Sequence, residues 1–374
     1  VDIHTLSRLN RFRAIVVTLI KYGFGDIIAR LDLPEKLGPF YPRKQPKEAT
    51  GTYTRIRLAL QELGPTFIKL GQLLSLRTDL IPSEMTEELS KLQDEVPAEE
   101  FSEISKQIER ALGRQLNEVF SEFEEKPMAA ASLAQVHGAV LRDSGESVAI
   151  KVQRPGIRQM IRNDLRIMES LAQRAHERVE SLQLYNLPRV VEEIKRLLTQ
   201  ELDFNREGRN IRLARSNFAD DTSLYLPRVH SDISTSRMLV LERIQGTKLR
   251  DALTSWPLEI RRDLARKWLR ATLKQILEDG FFHADPHPGN FFILSKGKYS
   301  LLDWGMVGRL TPETRIKLVD LLGGVVLKDS QLVLDLLLEF TEYRSDIDMD
   351  GLHREIMDIL DDYHSVPLKE INMG

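Results

Sequence analysis

The sequence predicts an α+β fold of two lobes, a small lobe built on an antiparallel sheet and a helical large lobe, with a helical extension ahead of both. Three observations lead there. Strand-like runs cluster mid-chain, where Ala134–Leu141 and Val148–Lys151 flank Arg142-Asp143-Ser144-Gly145-Glu146, a Gly-containing hairpin signal. Apolar residues at helical spacing dominate on either side of that cluster. At 374 residues the chain is long enough for two lobes plus an extension.

Taken in order, residues 1–115 read as the helical extension, with Pro/Lys-rich 38–50 as its linker and Pro82 as an internal break. In the first thirty residues Arg8, Arg11, Arg13, Lys21 and Arg30 punctuate Leu9, Phe12, Ile15, Val16, Leu19, Ile20, Ile27 and Ile28. Such a cationic amphipathic helix either packs on its own domain or lies among lipid headgroups. Pro65 opens a second helix, on which Lys69 and Gln72 are i,i+3 neighbours in an apolar stretch. Residues 116–245 form the small lobe, interrupted by a helical insertion over 156–215. Inside the insertion Val190, Ile194, Leu197 and Leu198 keep helical spacing towards Glu201. If that helix continues, Asp203 and Glu207 share one face. The last small-lobe strands fall near Val229–Ile233 and Met238–Ile244, and Gln245-Gly246-Thr247 is the hinge into the large lobe, 246–374.

Two motifs carry chemistry. In Val148-Ala149-Ile150-Lys151 the strand alternation sends Lys151 to the face opposite Val148 and Ile150, where a lysine can reach nucleotide α/β-phosphates. Further on, His283-Ala284-Asp285 and Asn290 are followed by Asp303-Trp304-Gly305. This is the spacing of a kinase catalytic loop, H-x-D-x-x-x-x-N, and its metal-binding D-F-G. Asp285 would position the nucleophile, while Asn290 and Asp303 would hold metal against phosphates. Phe291–Leu294 and Tyr299–Leu302 flank a Lys-Gly-Lys turn as two strands, a hairpin expected to present Asn290 at one end and Asp303 at the other. The fold is therefore expected to be protein-kinase-like. Two features depart from ordinary protein kinases. Ala129-Ala130-Ala131-Ser132 stands where a glycine-rich phosphate loop belongs, and alanine penalises the positive φ that glycine allows. After Gly305 the chain enters a helix almost at once, with no A-P-E signal and little room for an activation segment.

With these motifs the chain resembles the UbiB (ADCK-like) family of atypical kinases, from about residue 50 to about 340. Lys69-Leu70-Gly71-Gln72 is similar to the family's K-x-G-Q, Glu201-Leu202-Asp203 to its E-x-D, and Ala129–Ser132 to its alanine-rich loop. Arg77-Thr78-Asp79 is close to its Q-T-D, with Arg in place of Gln. The resemblance implies that Glu207 pairs with Lys151, which kinase logic demands independently. It implies that Ala129, Ala130, Ala131, Ser132 and Lys151 bind ATP or ADP with Mg²⁺ (or Mn²⁺). It also implies that Lys69, Gln72, Glu201 and Asp203 form a lid over the catalytic cleft, Lys69 bonding the E-x-D acid. The implied role is ATP hydrolysis supporting isoprenoid-quinone biosynthesis at a membrane, without protein kinase activity in trans. The implied partners are membrane lipids, a hydrophobic quinone precursor and quinone-biosynthesis proteins. The implied location is the cytoplasmic face of a bacterial membrane, or its organelle equivalent, held peripherally or by a C-terminal tail. The limits at Val1 and Gly374 read as those of a trimmed piece.

Composition narrows the classes. With no cysteine, disulfides, thiolate metal sites and thiol catalysis are excluded. A net charge of −3 with interspersed signs leaves no nucleic-acid footprint. No apolar run approaches the ~20 residues needed to span a bilayer. The residues also allow a small-molecule phosphotransferase similar to aminoglycoside or choline kinases, or a nucleotide-switched scaffold without turnover. Oligomeric state is not legible.

Overall fold

The structure, a computed structural model, describes residues 3–33, 51–78, 80–92, 96–221, 223–249, 251–252, 256–294, 297–341 and 348–364. The expected linker over 38–50, Asp79 of the R-T-D segment and Lys296 of the hairpin turn lie outside them. The chain divides into two compact units, residues 1–212 with 227–245 and residues 213–226 with 246–374.

The first unit begins with α1 (Ile3–Leu19), a π-helical turn at Ile20–Phe24 and α2 (Gly25–Arg30). The helices α3 (Thr52–Leu63), α4 (Pro65–Ser75) and α5 (Ser83–Leu89) follow. Between α3 and α4 the chain turns at Gly64, whose φ of 92° is accessible to glycine, and Pro65 supplies the first residue of α4. Next come α6 (Phe101–Leu112), the single turn α7 (Leu116–Val119), and strands β1 (Phe120–Phe123), β2 (Ala129–Ala130), β3 (Ala134–Leu141) and β4 (Ser147–Gln153). The insertion supplies α8 (Ile157–Arg178), α9 (Glu180–Gln183), α10 (Leu187–Glu201) and α11 (Phe204–Asn217), the last running on into the second unit. After β5 (Leu224–Tyr225), which belongs to the second unit, β6 (Met238–Glu242) completes an antiparallel sheet in the order β1-β3-β4-β6, with β2 on β3.

One face of that sheet makes a core. Val148, Ile150 and Val152 alternate down β4 and pack with Met238 and Val240 of β6 and with Ile104 and Ile108 of α6. Each such side chain, fully buried, contributes about 1.5–3 kcal/mol. Pleating then sends Lys151 to the other face. Two sequence expectations are corrected. Residues 229–233 form no strand; Val229 makes a single bridge to Leu241, and the Ser234 hydroxyl takes the Val240 N–H that a continuing strand would have paired. The helix carrying Glu201 also stops there, because the Leu202 carbonyl is taken by Gln153 (2.6 Å) and Arg158 (2.6 Å). Asp203 then sits between two helices, its carboxylate accepting from the Asn205 N–H.

The apolar face of the first thirty residues packs on its own unit. Val16, Ile20 and Ile28 are buried with Ala175 of α8, and Ile15 with Leu63, Phe67 and Ile167. Arg11 fastens this contact. Its guanidinium grips fully buried Asp164 of α8 through two bonds of 2.7 and 2.9 Å and donates to the Leu63 carbonyl.

In the second unit, β7 (Thr247–Lys248), β9 (Phe291–Ile293) and β10 (Tyr299–Leu301) join β5 in the order β5-β10-β9-β7. β8 (Phe281–His283) pairs with β11 (Val307–Arg309). This unit's longer described α-helices are α12 (Leu258–Leu273), which runs into a π-helical segment at Lys274–Asp279, α13 (Pro312–Leu327), α14 (Ser330–Phe340) and α15 (Met349–His364). α13 starts soon after Gly305, its N-cap Thr311 accepting from the Thr314 N–H with Pro312 in the first turn. Among the described residues no helix is long and apolar enough to cross a membrane.

Arg11→Ala should strand the buried Asp164 carboxylate. A loss of about 3 kcal/mol is expected, the low end for breaking a buried pair because Arg11 keeps some exposure. Urea denaturation followed on the first unit's helices measures it.

Candidate active site

Lys151 stands at the middle of the sheet, between Val136 of β3 and Leu239 of β6. Its ammonium bonds both carboxylate oxygens of Glu207, at 3.0 and 2.9 Å. Glu207 is only 4% exposed and Lys151 19%, so each charge depends on the other to offset its lost hydration. Glu207 lies in the first turn of α11, where the helix dipole favours a carboxylate, and the Phe204 ring lies 5.3 Å from the ammonium.

The alanine-rich loop is a tight reversal. Ala129 and Ala130 pair with Val136 and Gln135, and the Ala131 N–H donates to the Ala134 carbonyl at 2.8 Å. Ser132 is fully buried. None of residues 129–132 has a positive φ, so the conformational freedom of glycine is not needed in this loop.

The K-x-G-Q motif residues of α4 each make a contact within the same unit. Lys69 pairs with Glu201 at 2.6 Å, both side chains 15% exposed. Gln72 donates to the Leu92 carbonyl at 3.3 Å. A Cβ at Gly71 would lie 2.2 Å from a Leu92 methyl, so the Leu92 side chain occupies the space that glycine leaves and would have to shift for a larger residue. Arg77, at the substituted position, pairs with Glu193 of α10 at 2.7 Å. The hydrogen bond from Arg196, with Arg77 beside it, holds the Glu193 carboxyl down at about 2. Asp203 faces Arg209 at 3.5 Å. Gly71 is a residue whose function the sequence did not disclose: the motif included it, but only the packing shows that it admits Leu92.

In the second unit β8 and β11 hold the H-x-D loop, with the Ala284 N–H bonded to the Met306 carbonyl. Asp285 is fixed by its N–H to His283 Nδ1 (3.2 Å) and by its carbonyl to the His287 N–H (2.8 Å). His283 is buried against the Trp304 ring, and burial pushes its imidazole below the usual range despite the opposing pull of the Asp303 charge. The hairpin of β9 and β10 pairs Phe291 with Leu301. The expectation that it would present Asn290 and Asp303 at opposite ends is corrected. In an antiparallel pair the residue before one strand meets the residue after the other, and here the Leu302 N–H donates to the Asn290 carbonyl at 2.8 Å. Both residues thus stand at one end of the hairpin. Asp303 has φ 61°, a left-handed conformation costly for a non-glycine residue and concentrated at functional sites. Buried Trp304 anchors it, stacked on Phe281 and donating to the Leu301 carbonyl.

The family described as the ABC1 atypical kinase-like domain matches residues 91–337. An uncharacterized protein of Synechocystis is 41% identical over 318 residues, covering 84% of this chain and 54% of its own. A probable protein kinase UbiB of Aliivibrio fischeri is 34% identical over 386 residues, covering 99% and 70% respectively. The chain thus spans little more than half the length of the first relative. A solved Mycobacterium tuberculosis protein, determined with erythromycin, superposes with TM-score 0.57 at 28% identity over 82% of this chain and 76% of that one.

In a double-mutant cycle with Lys69→Met and Glu201→Gln, the pair should show a coupling of about 1–3 kcal/mol, because both ends are mostly desolvated. Thermal or urea unfolding of the four proteins measures it; additive losses would leave the pair without energetic weight.

Proposed function

The chain belongs to the UbiB (ABC1-type) family of atypical kinase-like proteins, and from that premise we propose that it binds an adenine nucleotide with Mg²⁺ (or Mn²⁺) and hydrolyses ATP. We propose further that this hydrolysis serves isoprenoid-quinone biosynthesis at a membrane rather than phosphorylation of other proteins. The observation that carries the reading is the Lys151–Glu207 pair, a largely buried ammonium aimed by a buried carboxylate. On this reading Lys151 binds the α/β-phosphates and Glu207 fixes its direction. The backbone of Ala129–Ser132 lies against the phosphates. Asp285 accepts or orients the proton of the attacking water, with His283 behind it holding its main chain.

The donor set suits a hard cation. Asp303 offers carboxylate oxygen and Asn290 amide oxygen, and the backbone bond joining Asn290 to Leu302 keeps the two together. Mg²⁺ prefers oxygen donors and takes few of them from protein. When bound, such an ion neutralises phosphate charge. The quinone-linked role and the membrane rest on kinship with UbiB proteins. The short passage from Gly305 to α13 supports the absence of a protein-substrate platform.

A phosphate-release assay with Mg²⁺-ATP, run with and without anionic liposomes, tests the turnover. In Asp303→Asn, nucleotide affinity in Mg²⁺ should fall to its Mg²⁺-free value, a loss of about 2–3 kcal/mol for a charge-assisted contact. Undiminished Mg²⁺-ATP affinity in the folded variant would remove Asp303 from the site.

A further inference from the structure

The reading above gives no part to Arg154, the residue that follows β4, although it is 7% exposed. A buried guanidinium is costly unless it finds partners, and each of the three nitrogens of Arg154 has one. Here Nε donates to the Ala131 carbonyl at 2.9 Å, Nη1 to the Glu99 carboxylate at 2.7 Å and Nη2 to the Pro97 carbonyl at 2.6 Å. The Arg154 backbone N–H donates to the Leu133 carbonyl at 3.0 Å. One rigid fork therefore joins the alanine-rich loop to residues 97–99 of the N-terminal extension. Two further bonds lie along the same seam: the Glu99 N–H to the side-chain carbonyl of fully buried Gln135, and a longer one (3.5 Å) from the Val96 N–H to the Ala130 carbonyl. Upstream, Gln72 of the K-x-G-Q helix holds the Leu92 carbonyl.

The arrangement has a directional consequence. The peptide plane is rigid and trans, so a carbonyl drawn to one side sends the following N–H to the other. With the Ala131 and Leu133 carbonyls turned towards Arg154, the N–H groups of Ser132 and Ala134 are aimed away from it. A glycine loop would reach an anion through freedom of φ; this loop has its N–H direction imposed from behind.

We infer that Arg154 is a positioning residue for nucleotide phosphate binding: it sets the orientation of the Ala131–Ala134 amides and couples that orientation to the segment 97–99. The inference rests on the nucleotide-binding role proposed above. Lysine keeps the charge but is a single point with no fork, so it cannot hold three acceptors in one plane.

The test compares the parent protein with Arg154→Lys, Glu99→Ala and, as a control, Lys151→Met. Dissociation constants for Mg²⁺-ATP and Mg²⁺-ADP are measured by calorimetry, and amide exchange over 129–134 by mass spectrometry without nucleotide. In Arg154→Lys, exchange over 129–134 should accelerate, ATP binding weaken about tenfold, and the ATP-to-ADP affinity ratio shift about threefold or more. Glu99→Ala, at the more exposed end of the fork, should move the same readings in the same direction by a smaller factor. It carries the test if Arg154→Lys does not fold. A folded variant with a lower melting temperature but unchanged affinities and ratio overturns the inference, leaving Arg154 a structural residue. Binding abolished in Lys151→Met yet unaltered in Arg154→Lys and Glu99→Ala overturns this inference alone. A parent protein that binds neither nucleotide overturns the nucleotide reading and this inference together.

Discussion

An ammonium and a carboxylate placed together inside a protein must find each other, because neither can recover its hydration. Lys151 and Glu207 meet this condition, and much of the first unit is arranged around it. β4 has to be a central strand so that Lys151 is flanked on both sides, and its Val148, Ile150 and Val152 have to fill the opposite core. α11 has to begin at Phe204 so that Glu207 falls in its first turn. That start depends in turn on the chain breaking at Leu202, whose carbonyl is claimed by Gln153 from the end of β4 and by Arg158 from the start of α8. The same sheet strand that carries the lysine thus helps to place the helix that carries its partner.

The extension is held to this unit by polar contacts with little freedom. Arg11–Asp164, Lys69–Glu201 and Arg77–Glu193 each join a helix of the extension, or the turn after it, to a helix of the insertion. Apolar packing under α1 and α4 supplies most of the attraction, while the ion pairs select one register of contact. Arg77 in place of a family glutamine is intelligible here, since it gains a carboxylate partner on α10.

The α+β class, the hairpin before Lys151 and the catalytic-loop spacing were legible because strand alternation and motif intervals are local properties of the chain. Glu207 as the lysine's partner needed the kinase argument, since Glu192, Glu193, Glu201 and Asp203 lie in the same stretch and periodicity ranks none above another. The break between those helices was not legible. It is set by Gln153 and Arg158, far away in sequence, and its one local trace is Asp203, an N-cap residue type whose carboxylate accepts the Asn205 N–H at the start of α11. The common end of the hairpin was available in principle from antiparallel pairing. Arg154 left a weaker trace, a charged residue directly after a buried strand; two of its three acceptors are the backbone carbonyls of Ala131 and Pro97, which no side-chain pattern reveals. The N-terminal element's cationic amphipathic pattern was compatible with lipid or protein, and the burial of Ile15 and Val16 came from tertiary packing with α3, α4 and α8.

The central claim is that the Lys151–Glu207 pair exists to present an ammonium to nucleotide phosphates. Titration calorimetry of Mg²⁺-ATP into parent and Glu207→Gln, with unfolding curves to confirm that both are folded, tests it most directly. The account predicts that the amide, nearly identical in shape but uncharged, leaves Lys151 misdirected and weakens binding by about tenfold or more. Equal affinity in the two folded proteins would contradict it and make the pair a structural ion pair alone.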